Sequence, residues 1–311
     1  MAVYADFRQL PDSAKGHSIA LGNFDGLHAG HMAVITAARQ AGGPLGVATF
    51  EPPPRAFFRP DDPPFRILRP EHRNRKILAA GADAVFELPF NGEMAGMTDE
   101  EFARDVLAEG LGAAHVAVGF DFRFGRGRMG DAPRLASLGR ALGFGVTIVE
   151  KVDALGDKAS STAIRQALRA GEPQKAAGML GHAWVVDGPV EHGEKRGRTI
   201  GFPTANIHLH DLIHPRHGVY AVMARLDGEG DWRPGVANFG RTPTTGLRDA
   251  LLETFLFDFE GDIYGRHMDV ALIAFLRPEA QFDSLDAMVV QMQADTAEAR
   301  RILRGDLPPL P

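Results

Sequence analysis

The sequence predicts an α/β parallel-sheet domain followed by an antiparallel β-barrel with a C-terminal helix. Three observations carry that expectation. Up to about residue 180 short apolar runs alternate with amphipathic helical stretches, from His182 strand-like runs follow one another directly, and the last long helical pattern comes at 284–303. At 311 residues the chain also exceeds the roughly 250 residues at which one hydrophobic core stops growing, so two domains are expected, 1–181 and 182–311.

In the first domain the apolar runs HSIALGNF, PLGVATF, DAVFELPF, AHVAVGF and FGVTIVE read as buried strands. Between them HMAVITAARQAG, PEHRNRKILAAG, TDEEFARDVLAEG and APRLASLGRALG place apolar residues three or four apart and close on glycine, which marks helices. Thr98 with Glu101 reads as a capping box at the third helix. Strand and helix alternating in this way imply a parallel sheet whose ligands bind beyond the carboxyl ends of the strands. Two short helical pieces around Pro173 follow in SSTAIRQALRAGEPQKAAGMLG. In the second domain HAWVVDGPV, HGVYAVMARL, RPGVANFG, LLETFLFDFEG and MDVALIAFL, separated by glycine, proline and charged turns, predict an antiparallel barrel. In the closing helix, Leu285, Met288, Val289 and Met292 stand at helical spacing and are expected to face that barrel's core.

Composition excludes several classes. The chain has no cysteine, which removes disulfides, thiolate metal sites and a cysteine nucleophile. A formal net charge of −6 argues against a general nucleic-acid binder, so any phosphate is held locally. No run of eighteen apolar residues occurs, and the first residues lack a charged start with an apolar stretch behind it. A cytoplasmic protein with no membrane or nucleic-acid partner is expected; the assembly state is left open.

Three segments of the first domain carry chemistry. Gly22-Asn23-Phe24-Asp25-Gly26-Leu27-His28-Ala29-Gly30-His31 follows the first strand and opens the first helix. Glycines allow a sharp turn, and a helix N-terminus attracts anions, so this is a phosphate cradle. His28 and His31, three apart, would project toward the same end. Ser160-Ser161-Thr162-Ala163-Ile164-Arg165 puts capping hydroxyls one turn ahead of an arginine fork suited to phosphate. Gly119-Phe120-Asp121-Phe122-Arg123-Phe124-Gly125-Arg126-Gly127-Arg128 alternates aromatics with charge after a strand end, either as a loop whose phenylalanines fill a core under a basic rim or as a substrate loop.

In the second domain, Gly193-Glu194-Lys195-Arg196-Gly197-Arg198-Thr199-Ile200-Gly201-Phe202-Pro203-Thr204-Ala205-Asn206 joins flexible backbone and cations to two oxygen-bearing side chains. Thr204 and Asn206 are two apart, so on a strand both point the same way and suit a hard cation such as Mg2+. Glu253 is a charge inside the apolar strand Leu251–Leu256, either on a solvated face or in the chemistry.

These segments resemble known families. The first looks like the H-x-G-H signature of the nucleotidyltransferase superfamily, a Rossmann-like fold, and in its longer form like the flavin adenylyltransferase branch. The second and third are similar to that branch's S-S-T-x-I-R motif and its G-x-D-F-x-F-G loop. The second domain closely resembles the G-R-x-x-G-F-P-T-A-N motif of riboflavin kinases, continuing through His217-Gly218-Val219-Tyr220, Asn238-Phe239-Gly240 and Thr242-Pro243-Thr244. The resemblance to prokaryotic bifunctional FAD synthetases covers nearly the whole chain. It implies phosphorylation of riboflavin to FMN and adenylylation of FMN to FAD, with ATP and Mg2+. It assigns ATP of the adenylyltransferase to Gly22, Asn23, Phe24, Asp25, Gly26, Ser160, Ser161 and Thr162. Catalysis of that step goes to His28, His31 and Arg165, and flavin contact to Asp121. In the kinase it assigns ATP to Gly197, Arg198, Gly201 and Pro203, metal to Thr204 and Asn206, and the general base to Glu253. Two positions depart from the pattern: Pro53 and Phe255 stand where relatives carry histidine.

Overall fold

A computed structural model describes residues 2–151, 159–191, 204–227, 230–240 and 251–311. The chain divides into two compact units, one running to Pro63 and resuming over Leu68–Ala159, the other made of Pro64–Ile67 and Ser160–Pro311.

The first unit holds strands β1 (Ala2–Tyr4), β2 (Ser18–Leu21), β3 (Leu45–Glu51), β4 (Ala84–Pro89), β5 (His115–Gly119), the short pair β6 (Arg123–Phe124) and β7 (Gly130–Asp131), and β8 (Gly145–Val149). Six of them form one sheet in the order β1-β4-β3-β2-β5-β8, and every pairing in it is parallel. The five anticipated strands are β2, β3, β4, β5 and β8. Edge strand β1 adds a sixth; three residues are too few to display a period of two.

Helices α1 (Ala29–Gln40), α2 (Pro54–Phe58), α3 (Pro70–Ala79), α4 (Gly92–Gly96), α5 (Asp99–Glu101) and α6 (Ala132–Leu142) connect these strands. The capping box at α5 is present in both directions: the Glu101 N–H donates to Thr98 Oγ1 at 3.1 Å and the Thr98 N–H to Glu101 Oε2 at 2.8 Å. From Phe102 to Gly110 the helix widens into π-type turns that bury Phe102, Val106 and Leu107. One face of the sheet meets these side chains through Leu21, Phe50, Phe86 and Leu88, which forms the main core of the unit.

Two histidines lie at the opposite, amino-terminal edge of the sheet. His17 is buried with its ring edge-on to Phe86 at 5.4 Å, and His115 Nε2 lies 2.8 Å from Thr147 Oγ1. Burial pushes both imidazoles below the ordinary value of 6.5. The native state therefore resists a proton that the unfolded chain accepts, and stability falls as pH drops below about 6.5. The urea midpoint should decline between about pH 6.5 and 5.5, and the decline should be shallower in His17→Leu; identical slopes would refute the assignment to His17.

The second unit opens with α7 (Ser161–Ala170) and α8 (Pro173–Leu180), each ended by a left-handed glycine, Gly171 and Gly181. Then come β9 (Trp184–Pro189), β10 (Ala205–His208), β11 (Gly218–Leu226), β12 (Arg233–Gly240), β13 (Leu251–Leu256) and β14 (His267–Arg277). They pair antiparallel in the order β10-β13-β12-β11-β14-β9. A bridge between Glu191 and Asn206 brings the two ends of this sheet together, with the Glu191 N–H donating to the Asn206 carbonyl at 2.9 Å, so the barrel is nearly closed. Trp184, Tyr220 and Phe239 are fully buried.

The closing helix α9 (Leu285–Ile302) lies on this barrel most deeply through its later turns, where Ala299 is fully buried and Ile302 packs against the same cluster. Leu285 is 57% exposed, Met288, Val289 and Met292 are half-buried, and the buried residues are Asp295 and Ala299. A charged contact joins this apolar packing: the Arg277 guanidinium grips Asp295 through Nε and Nη2 at 2.9 and 2.8 Å. A buried aspartate is invisible to a search for apolar spacing.

Candidate functional site

The phosphate turn leaves the end of β2, where the Gly22 N–H donates to Ala48 O at 3.1 Å. It then reverses through three left-handed residues, Phe24 (φ 50°), Gly26 (φ 102°) and Leu27 (φ 43°). Phe24 and Leu27 tolerate that conformation because their side chains are buried, so packing holds a backbone that is costly on its own. The turn is tied down on both sides: Thr49 Oγ1 donates to Asn23 O at 3.1 Å, and Asp25 Oδ1 accepts the Leu68 N–H at 3.0 Å. Asp25 is thus a brace of the turn, and the turn offers a ligand its backbone.

His28 is the N-cap residue of α1, without a side-chain cap of its own. Its ring stacks on that of His31, with centroids 3.7 Å apart and planes 19° apart, and Phe24 backs His31 at 5.3 Å. The structure brings the two histidines together at a helix N-terminus as the spacing requires. Gly30 is part of this arrangement, since a Cβ there would lie 3.2 Å from the His28 ring.

The third segment runs from the end of β5 through β6 into the turn before β7. Asp121 is exposed, and Gly125 (φ 72°) lies so close to Asp99 that a Cβ would sit 2.7 Å from its backbone nitrogen. Phe124 is buried and Phe122 half-buried. What sequence reading missed is their continuation. Ring contacts run from Phe124 to Phe102, Phe50 and Phe90 at 5.6, 6.2 and 5.8 Å, and end at Phe57 and Phe58, 5.5 and 5.7 Å from Phe90. Phe58 is 63% exposed beyond the carboxyl end of β3. The available signal was the pair Phe57-Phe58 set between prolines. Pro53 is buried at the N-cap of α2.

In the second unit the Ser160 side chain caps α7 by accepting the Ala163 N–H at 3.2 Å; Ser161 and Thr162 follow in its first turn. Arg165 is anchored: its Nε donates to Phe65 O at 2.7 Å and its guanidinium carbon lies 5.5 Å from the Phe65 ring centre.

The barrel assembles the other predicted residues by register. Glu253 pairs with Asn206 on one neighbouring strand and with Asn238 on the other. Directly paired residues in an antiparallel sheet share a face, so a carboxylate is flanked by two amides, with Thr204 immediately before β10. Asn206 is 3% exposed, and its Oδ1 has no hydrogen-bond partner among the described residues. Such an oxygen is costly to bury unless something binds it, and neutral oxygens suit a hard cation whose charge is balanced by phosphate. The donor set therefore fits Mg2+. Phe255, half-buried, shares this face and contacts Phe257 at 5.9 Å. At the end of β12, a Cβ on Gly240 would collide with the Glu279 carboxylate, which also pairs with His217 at 3.5 Å. Gly197, Arg198, Gly201 and Pro203, with Thr242–Thr244, lie outside the described residues.

Residues 10–163 match a family model described as FAD synthetase, and residues 180–303 one described as riboflavin kinase. The chain is 40% identical over 291 residues to the bifunctional riboflavin kinase/FMN adenylyltransferase of Escherichia coli K12, covering 92% of each protein. It is 38% identical over 307 residues to the Pseudomonas fluorescens protein of the same name, covering 97% of this chain and 98% of that one. Among solved structures, one described as a macrolide-efflux protein from Streptococcus pneumoniae superposes with a TM-score of 0.82 at 32% identity, covering 96% of this chain and 98% of that one. No helix among the described residues is long and apolar enough to cross a membrane. With relatives this similar along nine-tenths of its length, the chain belongs to the bifunctional riboflavin kinase/FMN adenylyltransferase family.

Proposed function

We propose that this enzyme phosphorylates riboflavin to FMN in the barrel and adenylylates FMN to FAD in the parallel-sheet domain, using ATP in both steps, in the cytoplasm. The functional division falls at 1–181 and 182–311, a reading supported by the spans of the two family models, 10–163 and 180–303.

The observation that carries the kinase reading is the cross-strand row of Asn206, Glu253 and Asn238. Glu253 takes the proton from the terminal hydroxyl of the ribityl chain as that oxygen attacks the ATP γ-phosphorus. The bond from γ-phosphorus to the bridging oxygen breaks, and ADP leaves. Thr204 and Asn206 hold Mg2+, which when bound neutralises phosphate charge. Gly197, Arg198, Gly201 and Pro203 serve the ATP phosphates.

In the adenylyltransferase, a phosphate oxygen of FMN attacks the ATP α-phosphorus and pyrophosphate leaves. The backbone of Gly22–Gly26 and the N-terminus of α1 receive phosphate. His28 and His31 donate hydrogen bonds to the α-phosphoryl oxygens as charge builds. Ser160, Ser161, Thr162 and Arg165 serve ATP, with Arg165 pre-aimed by Phe65. Asp121 contacts the flavin, and the exposed rings of Phe57 and Phe58 offer its planar system an apolar face.

A chromatographic time course from riboflavin and MgATP tests the whole reading. FMN should rise first and FAD follow, with pyrophosphate released. FMN accumulating without FAD would leave a kinase alone, the outcome that Pro53 favours, and binding without either product would leave a flavin sensor.

A further inference from the structure

Polar groups interrupt β3 and β4 near their carboxyl ends, in strands that are otherwise apolar. Thr49 pairs with Glu87 across the two strands, and Glu51 follows Thr49 by two residues, so Thr49, Glu51 and Glu87 share one face of the sheet. Arg73 of α3 is 3% exposed and reaches both carboxylates: Nη1 to Glu51 Oε2 at 3.3 Å and Nη2 to Glu87 Oε1 at 2.9 Å. Asn74 donates to the same Glu87 oxygen at 2.8 Å. A guanidinium buried between carboxylates of two different strands fixes those strands and its own helix in one geometry.

These contacts close a circuit around the phosphate turn. Thr49 holds Asn23 of the turn, Glu51 on the same strand holds Arg73, and Leu68, two residues ahead of α3, holds Asp25 of the turn. Glu51 also begins the segment leading through Pro53 to Phe57 and Phe58. We propose that Arg73 is a positioning residue for adenylyl transfer, acting through Glu51 and Glu87 to set the phosphate turn and the segment after β3 against each other. The inference rests on reading this domain as the adenylyltransferase.

The test uses the full-length enzyme, whose riboflavin kinase activity serves as an internal control for folding. Lysine offers one compact ammonium without the rigid fork that meets Glu51 and Glu87 through two separate nitrogens, so Arg73→Lys should lower kcat for FAD formation about tenfold, because small misplacements of reacting groups are expensive. KM for ATP and FMN, and the rate of riboflavin phosphorylation, should stay within about twofold. Glu51→Gln should show the same pattern, and the double variant should lose no more than either single one, as expected for residues acting as a unit. Losses that multiply in the double variant, or that fall equally on both activities, would overturn the role. If Arg73→Lys does not fold, Glu51→Gln decides alone: a full rate of FAD formation overturns the proposal and a tenfold loss in kcat supports it. A wild-type enzyme releasing no pyrophosphate from FMN and ATP overturns both this role and the adenylyltransferase reading, whereas an active wild type with full-rate variants overturns only the role.

Discussion

Glu253→Gln should abolish riboflavin phosphorylation to within detection, a loss of about 10²- to 10⁴-fold in kcat, the range a positioned general base supplies. The substitution keeps the size and hydrogen-bonding reach of the side chain and removes only its ability to take a proton. Strand β13 is held by its ladders to β10 and β12, so the barrel should fold and riboflavin should still bind. The flanking amides of Asn206 and Asn238 have no comparable basicity and cannot substitute for the carboxylate. Starting the reaction from FMN separates the two steps, and FAD formation by this variant should match that of the wild type. A loss of less than about tenfold in the kinase would place Glu253 in a binding role instead.

His31→Asn should lower adenylylation about 10²- to 10³-fold, the usual consequence of removing one donor from a developing oxyanion. The kinase should be untouched. His28→Gln should fall in the same range, but the two losses should not multiply. The rings are stacked at 3.7 Å, so removing either one releases the other from its position. Pyrophosphate release from FMN and ATP reads the effect directly, with riboflavin phosphorylation in the same preparation showing that the chain is folded. Fully multiplicative losses would mean two independent contacts, and the absence of any loss would remove the histidines from the mechanism.

Much of this was legible in the sequence because it is local. A phosphate turn needs glycine and a helix start within ten residues, and Gly22–His31 supplies both. The capping pair Thr98 and Glu101 is three residues apart, and Thr204 and Asn206 share a strand face through the period of two. The two departures, Pro53 and Phe255, were also visible, because a residue's identity needs no fold to be read.

Local periodicity on its own thus determined the alternating α/β half and the strand-rich half, glycine placement before a helix marked the phosphate turn, and Glu253 was singled out as a base only by its resemblance to the riboflavin kinase motif. Only tertiary structure decided what these features touch. Asn206 and Glu253 become neighbours through strand register, Arg73 finds Glu51 and Glu87 by helix packing, and Phe58 joins Phe124 through three intervening rings. Asp25 braces its turn by accepting the Leu68 N–H, and α9 seats Ala299 and Ile302 against the barrel while Asp295 pairs with Arg277. The physical reason is the same in each case. A side chain's spacing along its own backbone is set by local geometry, whereas its partner is chosen by long-range burial, where a charge or a ring settles beside whatever compensates it best.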